Sequence, residues 1–144
     1  RCIGACPTNA IIPTNWNAGK MVNLKMAEYA CAILHDRPQF HISLIVDVSP
    51  NCDCHAENDL PIVPNIGMLA SFDPVAIDQA CADLVNKAPA IANSMLGENI
   101  EKAPEEAQKH DHFYNSHPDT EWQSCLDHCE KLGMGSRKYD LIKL

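Results

Sequence analysis

The stretch from Phe40 to Val48 constrains the fold more than any other. Phe40, Ile42, Leu44, Val46 and Val48 alternate with His41, Ser43, Ile45 and Asp47. A period of two sends successive side chains to opposite faces of an extended chain, so the stretch predicts a β-strand. Ser49-Pro50-Asn51 closes it as a turn cluster. The segments around it follow the helical period instead. Lys20 to Asp36 carries Met21, Leu24, Ala27, Ala30, Cys31 and Leu34 at helical spacing, and Pro38 forbids extension. Ile66 to Ala70 is a short apolar run and predicts a buried strand. Asp73 is a natural N-cap and Pro74 suits the first position of a helix reaching Asn86. Ala90 to Leu96 predicts a short helix ending at Gly97. Glu101 to His110 is charged and expected to be exposed. Asp119 or Thr120 caps a last helix, Glu121 to Leu132, which Gly133 terminates. Tyr139 to Leu144 predicts a final strand. Helices and strands interleaved in this way imply an α/β or α+β fold, with a small mixed sheet flanked by helices.

Eleven basic and nineteen acidic residues give a net charge of −8. A surface of that sign repels phosphate backbones, so no nucleic-acid partner is expected. No membrane association is expected either, because no apolar run approaches the roughly 18 residues of a spanning helix. Eight cysteines are many for 144 residues. Cys31, Cys81 and Cys125 fall among apolar residues in helical patterns, where a free thiol behaves as a small hydrophobe. A reduced, cytoplasmic protein with some thiols kept for metal is therefore favoured over a disulfide scaffold.

Cys2 and Cys6 are followed by Pro7, which matches the closing half of the ferredoxin run Cys-x2-Cys-x2-Cys-x3-Cys-Pro. The pair predicts ligands of a 4Fe–4S cluster, completed by cysteines ahead of Arg1; the competing reading is two unrelated thiols near a terminus. On this basis residues 1–20 are the tail end of a ferredoxin-like segment and 21–144 a C-terminal α/β domain. The sheet is then expected to be incomplete, with its remaining strands in a preceding N-terminal part.

Cys52-Asp53-Cys54-His55 lies just past the C-terminal end of the Phe40–Val48 strand, where open α/β sheets bind ligands. Cys52, Cys54 and His55 are candidate ligands for zinc or iron. The alternative is a structural turn with idle thiols. Asp47, beside that loop, and Asp78, in an apolar stretch of helix, are further candidates, with backbone capping the competing role for Asp78. His110, His112 and His117 gather near Tyr114 in what reads as an ordered loop, and surface histidines are the commoner case there. Cys125 and Cys129 stand one helical turn apart; Cys125 reads as core, and Cys129 is open.

Several stretches together resemble the domain of unknown function 362 family. They are Cys2 to Ile11, Met26-Ala27-Glu28-Tyr29-Ala30, Asn51-Cys52-Asp53-Cys54, Ile66 to Ala80 and Leu132-Gly133-Met134-Gly135-Ser136. The Ser-x-Asp-Pro-Val-Ala-x-Asp run from Ser71 to Asp78 is the most specific of them. The resemblance implies a longer iron–sulfur-centre protein with a ferredoxin-like insert and the remaining cluster cysteines just ahead of Cys2. It implies a cofactor class but no substrate. The expected function is part of an iron–sulfur protein engaged in electron transfer or redox coupling, with a redox partner protein. The alternative is a metal- or small-ligand-binding module built on the Cys-Asp-Cys-His stretch, without redox chemistry.

Overall fold

Asp73 sets the first turn of the helix on which the rest of the molecule packs. Its Oδ1 accepts from the amides of Val75 and Ala76, both at 2.9 Å, and Pro74 follows at the first helical position. These bonds satisfy two of the amides that every helix start leaves without an intrahelical partner. The structure, a computed structural model, describes residues 5–8, 10–12, 18–52, 55–105 and 111–144. The elements in order are α1 (Gly19–Leu34), β1 (His41–Ile45), β2 (Gly67–Ser71), α2 (Pro74–Lys87), α3 (Met95–Lys102), α4 (His112–Ser116) and α5 (Gln123–Lys131).

The sheet of the described residues is a single antiparallel pair, running from His41 opposite Ser71 to Ile45 opposite Gly67. α2 packs on it and also meets α4 and α5, while α1 lies along α5. This is a small α/β fold with helices around a sheet. Two buried clusters hold it together. Ile45, Ile62, Val63, Val85 and Leu96 form one, with Leu69, Cys81 and Phe113 packed against it. Ala27, Val75, Leu126 and Cys129 form the other, with Trp122, Cys125 and Met134 at its margin. α2 supplies Val85 to the first cluster and Val75 to the second, so one helix joins both. Each fully buried aliphatic side chain contributes about 1.5–3 kcal/mol relative to exposure.

The two strands show an unexpected face. Residues opposite one another in an antiparallel pair share a side of the sheet. On one side His41, Ser43, Ile45 and Leu69 turn toward the helices, and Ile45 is buried. On the other side Phe40, Ile42, Leu44, Met68 and Phe72 are all more than half exposed. The Phe40 and Phe72 rings pack together there, with centroids 5.1 Å apart. The more apolar phase of β1 thus points outward.

The chain ends differ from expectation in instructive ways. Tyr139 to Leu144 forms no strand. The Tyr139 hydroxyl donates to Asp83 Oδ2 at 2.7 Å, which ties the segment to α2. Leu141, Ile142 and Leu144 remain exposed, so little burial offsets the entropy of ordering them into a ladder. Gly97 does not end a helix but sits in the first turn of α3, which Ser94 caps. A Cβ there would lie 2.3 Å from the Ile91 carbonyl oxygen, so the glycine permits a close backbone crossing. His112 belongs to a short helix and not to a loop, because Asp111 caps it by accepting from the Tyr114 amide. Gly133 ends α5 as expected, with φ of 75° and the Met134 amide donating to the Cys129 carbonyl. No helix among the described residues is long and apolar enough to cross a membrane.

Candidate functional site

Cys6 sits in a tight loop shaped by Pro7. The Ala10 amide donates to its sulfur at 3.3 Å, and the Thr8 hydroxyl lies 3.5 Å from it. The Thr8 side chain, followed by the backbone amides of Thr8, Ile11 and Ala10, pulls the Cys6 thiol down to about 7. Hydrogen bonds to a sulfur favour its charged form, which is also the form that ligates metals. Cys2 lies outside the described residues.

The second candidate stretch leaves β1 through a built turn. The Ser49 hydroxyl donates to the Asn51 carbonyl at 2.8 Å, and the His55 amide donates to the Cys52 carbonyl at 2.8 Å. Cys52 and His55 are thereby joined through their backbones, and both are exposed. The His55 Nδ1 stands 3.4 Å from Glu57 Oε1, and this imidazole draws the Glu57 carboxyl below its ordinary value. Cys54 and Asp53 lie outside the described residues. The His117 Nε2–H donates to the Pro50 carbonyl at 2.7 Å and anchors α4 beneath the same turn. Asp47 is exposed with φ of 48°, and its amide donates to Asn65 Oδ1 at 2.8 Å. It shapes the exit from β1.

Of the three histidines gathered near Tyr114, His112 and His117 meet backbone carbonyls through their rings. His112 receives α4 against α2: its amide donates to Asn86 Oδ1 and its Nε2–H to the Ala88 carbonyl, both at 2.8 Å. His110 lies outside the described residues. Asp78 projects from α2 near His41 of β1; partial burial raises its carboxyl, and His41 opposes that shift.

Tertiary packing adds a neighbourhood that spacing alone does not reveal. Cys129 is buried, and desolvation pushes its thiol up to about 11, reinforced by Cys125, Asp78 and Cys31. Cys81, one turn after Asp78, is also raised by burial, against a hydrogen bond with Ser43 and with Asp78 adding to the rise. Residues of α1, α2 and α5 thus place thiols and a carboxylate within electrostatic reach of Cys129. The spacing of Cys125 and Cys129 exposes one side of this group; the approach of Cys31 and Asp78 depends on how three helices pack. Among the described residues no group of three or more His, Cys, Asp or Glu side chains is arranged to hold a metal ion. Cys6, Cys31, Cys81, Cys125 and Cys129 are free thiols.

Comparison with protein families finds a match over residues 3–83, more than half of the chain, to the family described as Domain of unknown function (DUF362). The matched span holds Cys6, Asp47, the Cys52–His55 stretch and Asp78. No curated protein and no solved structure matches the chain.

Proposed function

Because the chain belongs to the domain of unknown function 362 family, whose description names no reaction, we propose its function from its own residues: it is part of an iron–sulfur protein that transfers electrons or couples them to a redox step. Cys2 and Cys6 would be ligands of a 4Fe–4S cluster, which when bound supplies one-electron chemistry. The observation that carries the reading is the Cys6 sulfur, which accepts the Ala10 amide within the Cys-Pro-Thr loop and is drawn toward the thiolate. That fits a cluster ligand, because amide hydrogen bonds to sulfur stabilise the charge it carries and tune the potential. The loop residues hold the sulfur; Pro7 turns the chain away from it. A redox partner protein and a reducing cytoplasmic setting belong to the same reading, and the free thiols are consistent with both.

The test is iron and acid-labile sulfide analysis, with visible charge-transfer absorption, of anaerobically purified protein carrying this chain. Iron and sulfide lost on Cys6→Ser are the expected result. A colourless protein without iron or sulfide would sink the reading. A second reading, a metal- or small-ligand-binding module at Cys52, Cys54 and His55, draws on the backbone bond that joins His55 to Cys52. Stoichiometric zinc or iron that survives Cys6→Ser and vanishes in a Cys52→Ser, Cys54→Ser double variant would favour it.

A further inference from the structure

The inner face of α5 is rich in sulfur. Trp122, Cys125, Leu126 and Cys129 recur at the spacing of one helical face, and all four belong to the second buried cluster or pack against it. Two of the four are thiols, Cys129 buried and Cys125 half-buried, and both are free. Met134 packs against the same cluster, and its amide donates to the Cys129 carbonyl at 3.1 Å. α1, which lies along α5, brings Cys31 within electrostatic reach of Cys129. A single buried thiol is accounted for as a small hydrophobe. Two thiols and a thioether gathered on one cluster are more than that role requires.

Spacing decides what the pair can do. Residues one turn apart on a helix hold their Cβ atoms about 5–6 Å from each other. A disulfide needs roughly 3.5–4.5 Å, so these two cysteines are too far apart to bond directly while α5 stays helical. The same gap suits one ion held between two sulfurs. The Cys125 side chain reaches the Cys129 thiol through a hydrogen bond, so both sulfurs already face the same space. Zinc takes four ligands in a closed site, and among the described residues no group of three or more His, Cys, Asp or Glu side chains is arranged to hold a metal ion. Thiolate and thioether donors select soft ions. Copper(I), with a filled d shell and a single charge, is satisfied by two sulfurs on opposite sides. Ala27, Val75 and Leu126 surround the pair with apolar groups, which limits the access of water and of ions that prefer oxygen.

We propose that Cys125 and Cys129 form a two-sulfur site for copper(I) on the inner face of α5, with the Met134 thioether packed against the same cluster. Binding breaks two S–H bonds and forms two S–Cu bonds. Both protons pass to solvent, no electron is transferred and the copper stays monovalent. The half-buried Cys125 is the sulfur that the ion meets first. None of the residues assigned to a cluster at Cys6 takes part, so either assignment can fail without the other.

The probe is copper(I) alone, added without oxygen to the full chain in excess glutathione, which strips the ion from isolated thiols. Expected are one copper retained per chain after desalting, an X-ray absorption edge of a two-coordinate sulfur site, and loss of Cys125 alkylation by N-ethylmaleimide, read by peptide mass mapping. Cys125→Ala and Cys129→Ala should each lose that copper, whereas Cys31→Ala, Cys81→Ala and Cys6→Ser should keep it. Circular dichroism checks that each variant folds; for one that does not, protection of Cys125 in the unaltered chain decides instead. No retained copper, copper that leaves Cys125 open to alkylation, or equal retention by a folded Cys125→Ala variant overturns the proposal.

Discussion

Replacing Asp73 by alanine removes a helix cap and a long-range tie in one step. Oδ1 holds the amides of Val75 and Ala76 at 2.9 Å each, and Oδ2 accepts the Ser136 amide at 2.9 Å from the far side of the sequence. Losing the cap costs about 1 kcal/mol. Losing a hydrogen bond to a charged oxygen, with a part-buried amide left behind, costs roughly 1.5–3 kcal/mol more. The sum is about 2–4 kcal/mol, which for a chain of this size lowers the midpoint of thermal unfolding by roughly 5–15 °C. Asparagine separates the two contributions. Its single amide oxygen can cap α2 as well as aspartate does, but the nitrogen now facing Ser136 cannot accept, so Asp73→Asn should lose only about 1–2 kcal/mol. Urea unfolding followed by circular dichroism, with an unchanged slope, measures both variants. Equal losses for alanine and asparagine, or an alanine loss below about 0.5 kcal/mol, would refute the dual role.

Leu96 is fully buried in the cluster that contains Ile45 and Val85. Leu96→Ala should cost about 2.5–5 kcal/mol by the same urea measurement, and a loss under 1 kcal/mol would mean that the cluster collapses around the gap. Cys6 alkylation by iodoacetamide, read by peptide mass mapping, should rise with pH and level off above about 7, while Cys129 stays unreactive until about 11. The direction follows because only the thiolate attacks, and the Cys6 hydrogen bonds favour the thiolate whereas burial opposes it at Cys129. Thr8→Ala removes the largest of the Cys6 influences and should move its profile to higher pH; an unchanged profile refutes that assignment.

The parts of the fold that sequence makes legible are those with local causes. Asp73-Pro74 states a helix start in two residues, and Gly133 states a helix end, because caps are decided within one turn. The existence of β1 and β2 follows from composition and period, but not their burial: the run from Ile66 to Ala70 reads as a buried strand, whereas β2 is mostly exposed. Gly97 misleads because its reason is a carbonyl from Ile91 crossing overhead, which no local pattern encodes. Tyr139 to Leu144 misleads in the opposite sense: its residues suit a strand, but what ties it down among the described residues is a hydroxyl bond to α2. In the candidate site, Cys6 and Cys52 were legible as residue types at informative spacings. The company that Cys129 keeps with Cys31 and Asp78 was not, since it depends on how α1, α2 and α5 come together.

The outward turn of Phe40, Ile42 and Leu44 has a consequence for how β1 finds its frame. In most half-buried strands a slip of one residue is forbidden by the swap of apolar for polar side chains against the core. Here the same slip would carry a more hydrophobic set inward, so alternation does not guard the alignment. What guards it is the exit of the strand: Asp47 at φ 48°, its amide locked to Asn65, and the Ile66 and Ile62 amides donating to the Ile45 and Val48 carbonyls. The side chain of Asn65, a residue in a loop, thereby helps decide which surface the sheet presents to the rest of the world.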